Sequence, residues 1–277
     1  MQGTAPMVSD VPDVSVVIPT FRRPQALREA LESVLAQEGV QVEVRVLDDS
    51  PEGSAREVVE AFRDARLTYV KREVPTGGDP AVVRNEGWPV ARGRYVHFLD
   101  DDDRVAAGAY RAMVAALDAN PRAGMVFGRV DPFGNNAEVL AHQRAYFADA
   151  ARRAKRAQKV GSRRWMATNM LFRPTVLVNS ACMVRRECVA PLGGYRTECL
   201  VVEDVDFYLR VIRRFGFVFL DEVVVHYRTG ETSLMHDAHS ERVVRSYGAI
   251  YERYRETYGQ LELTALKLCA RTVLRWL

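Results

Sequence analysis

Four consecutive aspartates, Asp100 to Asp103, directly follow the apolar run Tyr95–Leu99. Carboxylates this close together repel one another, so they need either a bound cation or full solvation. Hard divalent cations such as Mg²⁺ and Mn²⁺ bind one or two protein carboxylates and complete their coordination with phosphate oxygens and water. Because side chains alternate along a strand, Asp100 and Asp102 should share one face where the strand ends. The pattern favours a metal–phosphate site over a solvated acidic turn that caps a helix near Ala106.

The segments before the aspartates alternate between strand and helix patterns. Runs of β-branched and apolar residues predict strands at Val14–Ile18, Val42–Leu47 and Leu67–Lys71. Apolar residues at helical spacing predict helices that begin at Pro24 and near Ser54. This order predicts an α/β fold with a parallel sheet and right-handed crossovers. In such sheets, ligands bind at the carboxyl ends of the strands.

Polar residues also follow the first and second predicted strands. The first strand leads into Pro19-Thr20-Phe21-Arg22, and the second leads into Asp48-Asp49. In a parallel sheet these segments are neighbours, and they could form a pocket for a base and a ribose, with Asp49 accepting a hydrogen bond from a ring N–H. The alternative is that Asp49 and Ser50 cap the following helix. Sequence alone does not choose between these interpretations.

Two further segments carry groups that could take part in chemistry. Glu203-Asp204 opens a predicted helix, where the positive end of the helix dipole favours ionised carboxylates. Such a carboxylate could remove a proton from an acceptor hydroxyl, although an ordinary acidic first turn is the commoner case. His226 follows a predicted strand and could bind a metal through neutral imidazole, whereas a lone histidine there is more often structural.

Basic residues are concentrated in two places. The segment from Arg144 to Arg164 contains eight basic residues and one acid, Asp149. We interpret it as a solvated helix, with a phosphate-ordering loop and a patch for an anionic acceptor or membrane as alternatives. Near the end of the chain a second basic stripe is formed by Lys267, Arg271 and Arg275. We expect that helix to pack on its own domain, and a homodimer contact or peripheral membrane contact is the alternative.

Composition narrows the class of protein. The 277 residues are enough for one large α/β domain, and a net charge of +3 does not by itself indicate a nucleic-acid partner. The four cysteines form no C-x-x-C pair, so reduced thiols in a cytoplasmic protein are expected. No stretch approaches the roughly 18 apolar residues that span a bilayer, so membrane contact should be peripheral at most.

Four segments in this order closely resemble the family-2 glycosyltransferases of the GT-A fold. They are Val14–Arg23, Leu47–Ser50, Arg84–Gly87 and Gly93–Asp103. The resemblance implies a single Rossmann-like domain with a central, mostly parallel sheet flanked by helices, a variable acceptor region and C-terminal helices. On this basis we expect a flexible leader at 1–12 and a glycosyltransferase domain at 13–235. That domain divides into a nucleotide-binding half (13–120) and an acceptor-binding half (121–235), and a helical extension follows at 236–277.

The resemblance also implies the reaction and its participants. A sugar moves with inversion from a nucleoside-diphosphate donor, most often a UDP-sugar, to a hydroxyl of a saccharide, a lipid-linked acceptor or a small natural product. The cofactor is Mn²⁺ or Mg²⁺, and thymidine and guanosine donors remain alternatives. The implied roles are the catalytic base for Asp204, metal binding for Asp102 and His226, and donor binding for Pro19, Thr20, Phe21, Arg22, Asp49, Arg84, Asp100 and Asp101. Asp103 is expected only to cap the next helix.

Two other functions fit parts of the pattern. The spacing Asp101-x-Asp103-x-Val105 imitates the nucleophile motif of haloacid-dehalogenase phosphatases. In those enzymes the motif follows the first strand, whereas here about a hundred residues precede it, so the order argues against a phosphatase. A catalytically silent nucleotide-binding scaffold is the second alternative, and the intact set of acidic residues argues against it.

Overall fold

The computed structural model describes residues 11–173, 178–199, 202–229 and 241–272. The strands are β1 (Val14–Thr20), β2 (Val42–Asp48), β3 (Leu67–Lys71), β4 (Tyr95–Phe98), β5 (Arg104–Val105), β6 (Met125–Phe133), β7 (Cys182–Arg185) and β8 (Phe217–Arg228). The helices are α1 (Pro24–Leu35), α2 (Arg56–Ala61), α3 (Pro80–Gly87), α4 (Ala109–Asp118), α5 (Ala137–Val160), α6 (Arg163–Phe172), α7 (Arg186–Val189), α8 (Glu203–Phe215), α9 (Glu241–Tyr258) and α10 (Gln260–Thr272).

The strands form one sheet in the order β3-β2-β1-β4-β7-β6-β8-β5. β1 is parallel to β2 and β4, and β2 is parallel to β3. β7 is antiparallel to both β4 and β6, while β6 and β8 are parallel to each other. The carboxyl ends of β1, β2, β4, β6 and β8 therefore lie at the same edge, as a mostly parallel α/β sheet requires. The predicted fold class is confirmed.

Both faces of the sheet are buried, which explains the continuous apolar run in β1. Val14, Val16 and Ile18 face the layer that contains Leu27 and Leu31 of α1. Val17 faces the opposite layer, with residues of α3 and α8. Complete burial of each Val or Ile side chain contributes about 1.5–3 kcal/mol to folding. The alternation of β1 between two cores fixes its register, and so fixes where Thr20 emerges.

The C-terminal helices share one of these two cores. Ile250 and Tyr254 of α9, with Leu263 and Leu266 of α10, are buried in the same cluster as Phe207 of α8. This agrees with the expectation that the last helix packs on its own domain; Arg275 lies outside the described residues. The predicted domain boundaries remain predictions. Within the described ranges, no helix is both long and apolar enough to cross a membrane.

The apolar runs at 217–220 and 223–227 predict two short strands, and the stretch from Thr175 to Val184 predicts another. Both predictions are wrong. The two short strands expected at 217–220 and 223–227 form the single strand β8, with register shifts opposite Gly128 and Arg129 of β6. A Cβ on Gly128 would lie 2.4 Å from Val224, so glycine allows the strands to approach here. The strand expected from Thr175 begins only at Cys182, because a 3₁₀ turn at Asn179–Ala181 precedes it; residues 174–177 lie outside the described residues.

Gly93→Ala should destabilise the sheet. A Cβ at this position would lie 2.6 Å from the backbone nitrogen of Ser15 on β1. We expect a loss of about 1–3 kcal/mol in the free energy of unfolding, measured by urea denaturation. Gly248→Ala in α9 is the control, because a Cβ there meets no atom within 4 Å and alanine should gain up to about 1 kcal/mol in a helix. Equal stability of the two variants would contradict the packing described here.

Candidate active site

The four aspartates lie beyond the end of β4, in a tight turn rather than on the strand. β4 ends at Phe98, and the N–H of Asp103 donates to the carbonyl of Asp100 at 3.2 Å. The expectation that Asp100 and Asp102 share a strand face is therefore wrong, because strand alternation does not continue through a turn. We call residues 100–103 the aspartate turn. Its carboxylates have largely different partners, although Arg23 contacts two of them.

Asp100 and Asp101 are held by different elements of the protein. The Asp100 carboxylate accepts from Arg84 Nη2 at 2.6 Å, and its backbone N–H donates to Ser180 Oγ at 3.0 Å. The Asp101 carboxylate accepts from the Thr20 hydroxyl at 2.7 Å and from the Phe21 N–H at 3.4 Å. The aspartate turn is thus tied directly to the end of β1, as the parallel sheet predicted.

Asp102 and Asp103 are held by two arginines that the sequence did not single out. Arg23 Nη1 donates to Asp102 Oδ2 at 2.7 Å. The backbone N–H of Arg228 donates to Asp103 Oδ1 at 3.0 Å, and Arg228 Nε donates to the Asp102 carbonyl. The expectation that Asp103 caps the next helix is wrong, because α4 begins at Ala109 after Gly108. Asp103 is instead buried and anchors the end of β8.

Burial and mutual repulsion disfavour the ionised forms of three carboxylates in the aspartate turn. Burial and the neighbouring Asp102 carboxylate raise the pKa of Asp101 to about 7. Burial and adjacent carboxylates also raise the pKa of Asp102, and they raise that of Asp103 well above its usual range. Asp103 Oδ2 is a buried acceptor with no hydrogen-bond partner among the described groups. A cation bound at this turn would relieve the repulsion.

The donor set fits a hard divalent cation that arrives with phosphate. The side chains of Asp100 and Asp102 are partly exposed, at 31% and 23%, whereas Asp103 is fully buried. Across the ranges that the structure covers, no three His, Cys, Asp or Glu side chains converge as an all-protein metal site. Mg²⁺ and Mn²⁺ commonly use one or two carboxylates and take their other ligands from phosphate and water. The turn suits that mode of binding.

The ring of His226 does not hydrogen-bond to the aspartate turn. Its Nδ1 lies 3.2 Å from Asp131 Oδ2 on β6, and its backbone pairs with Arg104 across β5 and β8. The residue of β8 that contacts the aspartates is Arg228, two positions later. A metal-binding role for His226 remains a prediction.

Arg84 forms a buried bridge between the aspartate turn and α8. It lies on α3, whose first turn is capped by Asp79, and its side chain is only 4% exposed. Nη1 donates to Glu203 Oε1 at 2.7 Å, while Nη2 donates to Asp100. The guanidinium also lies over the Tyr195 ring, 5.2 Å from its centroid. The predicted role in phosphate binding remains untested, and these contacts give Arg84 a bridging role.

Asp204 is the second acid of α8, and the helix begins at Glu203 as the sequence predicted. Glu203 faces Arg84, whereas the half-buried Asp204 accepts a hydrogen bond from the Val205 N–H at 2.8 Å. Burial and the adjacent Glu203 charge raise the pKa of Asp204 to about 7, despite the opposing charge of Arg84. A carboxylate with this pKa can accept a proton near neutral pH, as a general base must.

Asp49 holds a loop against the end of β2. Its buried carboxylate accepts from the Thr76 N–H at 2.8 Å, the Thr76 hydroxyl at 2.7 Å and the Gly78 N–H at 2.7 Å. It also accepts from the Arg72 guanidinium, so four donors occupy its lone-pair positions. Burial opposes ionisation, but these hydrogen bonds outweigh it and lower the pKa of Asp49. A nucleobase N–H would have to replace one of these donors.

The interpretation that Asp49 and Ser50 cap the following helix is wrong, because no described side chain caps the start of α2; Asp48 instead stabilises the turn that leads into it. Asp48 accepts from the backbone N–H groups of Ser50 and Ala55, just before α2. The sequence could not distinguish the two adjacent aspartates, because which carboxylate points towards the helix depends on the strand register.

Residues 19–22, at the end of β1 and just after it, make different contacts at the carboxyl edge of the sheet. Pro19 is the penultimate residue of β1, and Thr20 reaches Asp101. The Phe21 ring lies against Gly78, where an added Cβ would be 3.6 Å from the ring. Arg22 is exposed and pairs with Glu52 at 2.9 Å, with a left-handed backbone φ of 57°. Thr20 and Phe21 thus lie between the aspartate turn and the loop held by Asp49, whereas the Arg22 side chain points to Glu52.

The basic segment forms most of α5 and the start of α6, in agreement with the favoured interpretation of a helix. Asn136 caps α5 by accepting from the N–H groups of Glu138 and Val139. Ala150, Ala154 and Ala157 are the buried positions near the middle and end of the helix.

Comparison with known proteins supports the order of motifs along the chain. The model of glycosyl transferase family 2 matches residues 15–183. The succinoglycan biosynthesis protein ExoO of Rhizobium meliloti is 38% identical over 114 residues, which are 41% of this chain and 32% of that protein. A GalNAc(5)-diNAcBac-PP-undecaprenol beta-1,3-glucosyltransferase of Campylobacter jejuni is 33% identical over 120 residues, 43% of this chain and 38% of the relative. The match spans about a third of the length of each relative.

Solved structures share the fold over nearly the whole chain. S. aureus TarS 1-349 in complex with UDP-GlcNAc superposes with a TM-score of 0.66 at 16% identity, covering 94% of this chain and 73% of TarS 1-349. The mannosyltransferase PcManGT of Pyrobaculum calidifontis, in complex with GDP-Man and Mn²⁺, gives a TM-score of 0.60 at 17% identity, with 95% and 76% coverage. From its family match and its sheet, this chain belongs to glycosyl transferase family 2 and has the GT-A fold.

Proposed function

We propose that this chain transfers a sugar from a nucleoside-diphosphate donor to an acceptor hydroxyl, with inversion at the anomeric carbon. The observation that carries the proposal is the bridge from Asp100 through Arg84 to Glu203. It connects the aspartate turn, where the diphosphate would bind, to the helix start that presents Asp204. One buried arginine thus links the turn that we expect to bind metal and diphosphate to a carboxylate that can accept a proton.

The donor we propose is a UDP-sugar. Thr20, Phe21 and the loop held by Asp49 lie beside the aspartate turn, in the arrangement expected for a nucleoside next to its phosphates. The structural neighbours were solved with UDP-GlcNAc and with GDP-Man, so guanosine donors are the main alternative.

The proposed chemistry is a single displacement. Asp204 takes the proton from the acceptor hydroxyl as the oxygen attacks the anomeric carbon, and the bond from that carbon to the diphosphate breaks. Mg²⁺ or Mn²⁺, held by Asp102 with Asp100 nearby, would stabilise the negative charge that develops on the leaving diphosphate. Attack from the face opposite the leaving group accounts for inversion, so no covalent sugar–enzyme intermediate forms. Arg84 keeps the base and the aspartate turn in fixed relation.

The acceptor we propose is a hydroxyl of a saccharide, which is either lipid-linked or free. One relative is named for acting on an undecaprenol-linked saccharide. The expected cytoplasmic location, homodimer contact and peripheral membrane contact remain predictions.

The phosphatase alternative has no observation in its favour. The aspartate turn follows the fourth strand of the sheet, and the family match covers this part of the chain. A silent scaffold differs from an enzyme only in turnover, so a rate measurement separates them.

The proposal is tested by incubating the purified chain with UDP-, GDP- and dTDP-sugars, with Mn²⁺ or with EDTA. We expect one class of donor to release its nucleoside diphosphate. The release should be slow without acceptor, where it comes from hydrolysis, and faster with acceptor. It should stop when EDTA removes the metal. Absence of release from every donor, with and without saccharide acceptors, would argue for a silent scaffold.

The rate of transfer should rise with pH through about 7. Burial and Glu203 raise the pKa of Asp204 to about 7, and only its ionised form can accept the proton. Below that pH, kcat/KM should fall about tenfold per pH unit, and above it the rate should be level. Saturating Mn²⁺ favours the ionised form of the aspartate turn, including Asp101, whose pKa is also raised to about 7. A profile that is flat from pH 5 to 8 would contradict the assignment of the base.

A further inference from the structure

Arg23 occupies the carboxylate that the proposed cation would use. Its Nη1 lies 2.7 Å from Asp102 Oδ2 and 3.4 Å from Asp101 Oδ1. Arg23 immediately precedes α1, so the helix start fixes the position of its backbone. The guanidinium and a dication bound to the same carboxylate would repel each other, so the binding of one weakens the binding of the other.

Of the three arginines at the aspartate turn, Arg23 is the one best placed to leave. Arg84 is 4% exposed and is held on its far side by Glu203. The Arg228 side chain is 16% exposed and is held by Glu29 and by the Asp102 carbonyl. Arg23 is 34% exposed, the largest exposed fraction of the three, which gives its long side chain the most room to move.

We propose that Arg23 is an internal counter-cation, which neutralises Asp101 and Asp102 in the free protein and is displaced from Asp102 by the divalent metal. The displaced guanidinium then pairs with the donor diphosphate, because the metal joins Asp102 to the phosphate oxygens. This second step rests on the proposed function. When the metal binds alone, it must compete with the Arg23 guanidinium for Asp102. When the metal binds with a diphosphate, the displaced guanidinium pairs with the phosphate oxygens. Metal and nucleotide therefore favour each other's binding.

The experiment compares Mn²⁺ affinity of the wild-type chain with that of Arg23→Gln, in the absence of nucleotide, from the electron paramagnetic resonance signal of free Mn²⁺. Removing the competing charge should tighten Mn²⁺ binding about fivefold or more. In the presence of Mn²⁺, the same variant should bind UDP or GDP about threefold or more weakly, because the diphosphate loses a charged partner. Arg28→Gln is the control: Arg28 lies on α1 and stacks on Phe62, 5.8 Å from the ring centroid.

Mn²⁺ affinity that is unchanged or weaker in folded Arg23→Gln would overturn the proposal. So would equal tightening in Arg28→Gln, because the effect would then be one of net charge alone. If Arg23→Gln does not fold, an NMR titration of the wild-type chain with Mg²⁺ replaces it. The Arg23 Nε–H resonance should shift as the guanidinium leaves Asp102, and an unchanged resonance would overturn the proposal. If no nucleotide binds, the donor proposal is refuted. The Mn²⁺ comparison without nucleotide would still show whether Arg23 and the metal compete for Asp102.

Discussion

Asp204→Asn should lower the rate of transfer by about a hundredfold or more, the usual contribution of a general base. The substitution keeps the shape of the side chain and removes only its ability to take a proton. Because burial raises the pKa of Asp204, its ionised form is disfavoured in the folded protein. The variant should therefore be as stable as the wild-type chain or more stable. Steady-state kinetics and a melting curve measure the two effects separately.

A matched control separates loss of the base from loss of a surface charge. Asp221→Asn removes an exposed carboxylate of β8 that pairs with Lys155 of α5 at 2.6 Å. It should leave the rate within about twofold of the wild-type rate, as expected for an exposed pair. If Asp204→Asn keeps the full rate, Asp204 is not the base and the mechanism proposed here is wrong.

Arg84→Gln should destabilise the protein by about 3–5 kcal/mol, because it leaves the buried Glu203 and the partly exposed Asp100 without their cation. Arg84 donates to Glu203 at 2.7 Å and to Asp100 at 2.6 Å, and Glu203 is itself buried. The same change should lower activity, since the bridge fixes α8 relative to the aspartate turn. Urea denaturation gives the free energy of unfolding, and the transfer assay gives the rate.

Two further variants show whether the effect comes from the buried bridge. Arg92→Gln removes an arginine that pairs with Glu43 but is 70% exposed, and it should cost less than about 1 kcal/mol. Adding Glu203→Gln to Arg84→Gln should recover part of the lost stability, because one of the unpaired charges is removed. If the Arg84→Gln and Arg92→Gln variants have the same free energy of unfolding, Arg84 does not have the bridging role described here.

The sequence predicts the strands of the first half well, since their apolar runs are continuous. β3 occupies Leu67–Lys71 as expected, and β4 ends within one residue of its predicted end. The start of α8 at Glu203 follows from its acidic first turn. In these elements local pattern and tertiary burial agree, so pattern alone suffices.

The partners of the charged residues could not be predicted. Arg22 and Arg23 are adjacent and chemically identical, yet one pairs with Glu52 at the surface and the other with Asp102. The left-handed φ of 57° at Arg22 sends the two side chains in different directions, and no sequence signal marks that turn for a non-glycine residue. Arg228 contacts Asp103, which lies 125 positions earlier in the chain, because β5 pairs with β8. Such contacts depend on topology and not on local spacing.

The central claim is that this edge of the sheet binds a nucleoside diphosphate together with a divalent cation. The most direct test is the melting temperature of the chain with UDP, GDP and dTDP, each with and without Mn²⁺. At a ligand concentration of 100 times Kd, binding adds about 2.7 kcal/mol to the stability of the folded protein. We predict that one nucleotide raises the melting temperature clearly when Mn²⁺ is present and much less when it is absent. No increase with any of the three nucleotides, in the presence of Mn²⁺, would contradict the claim.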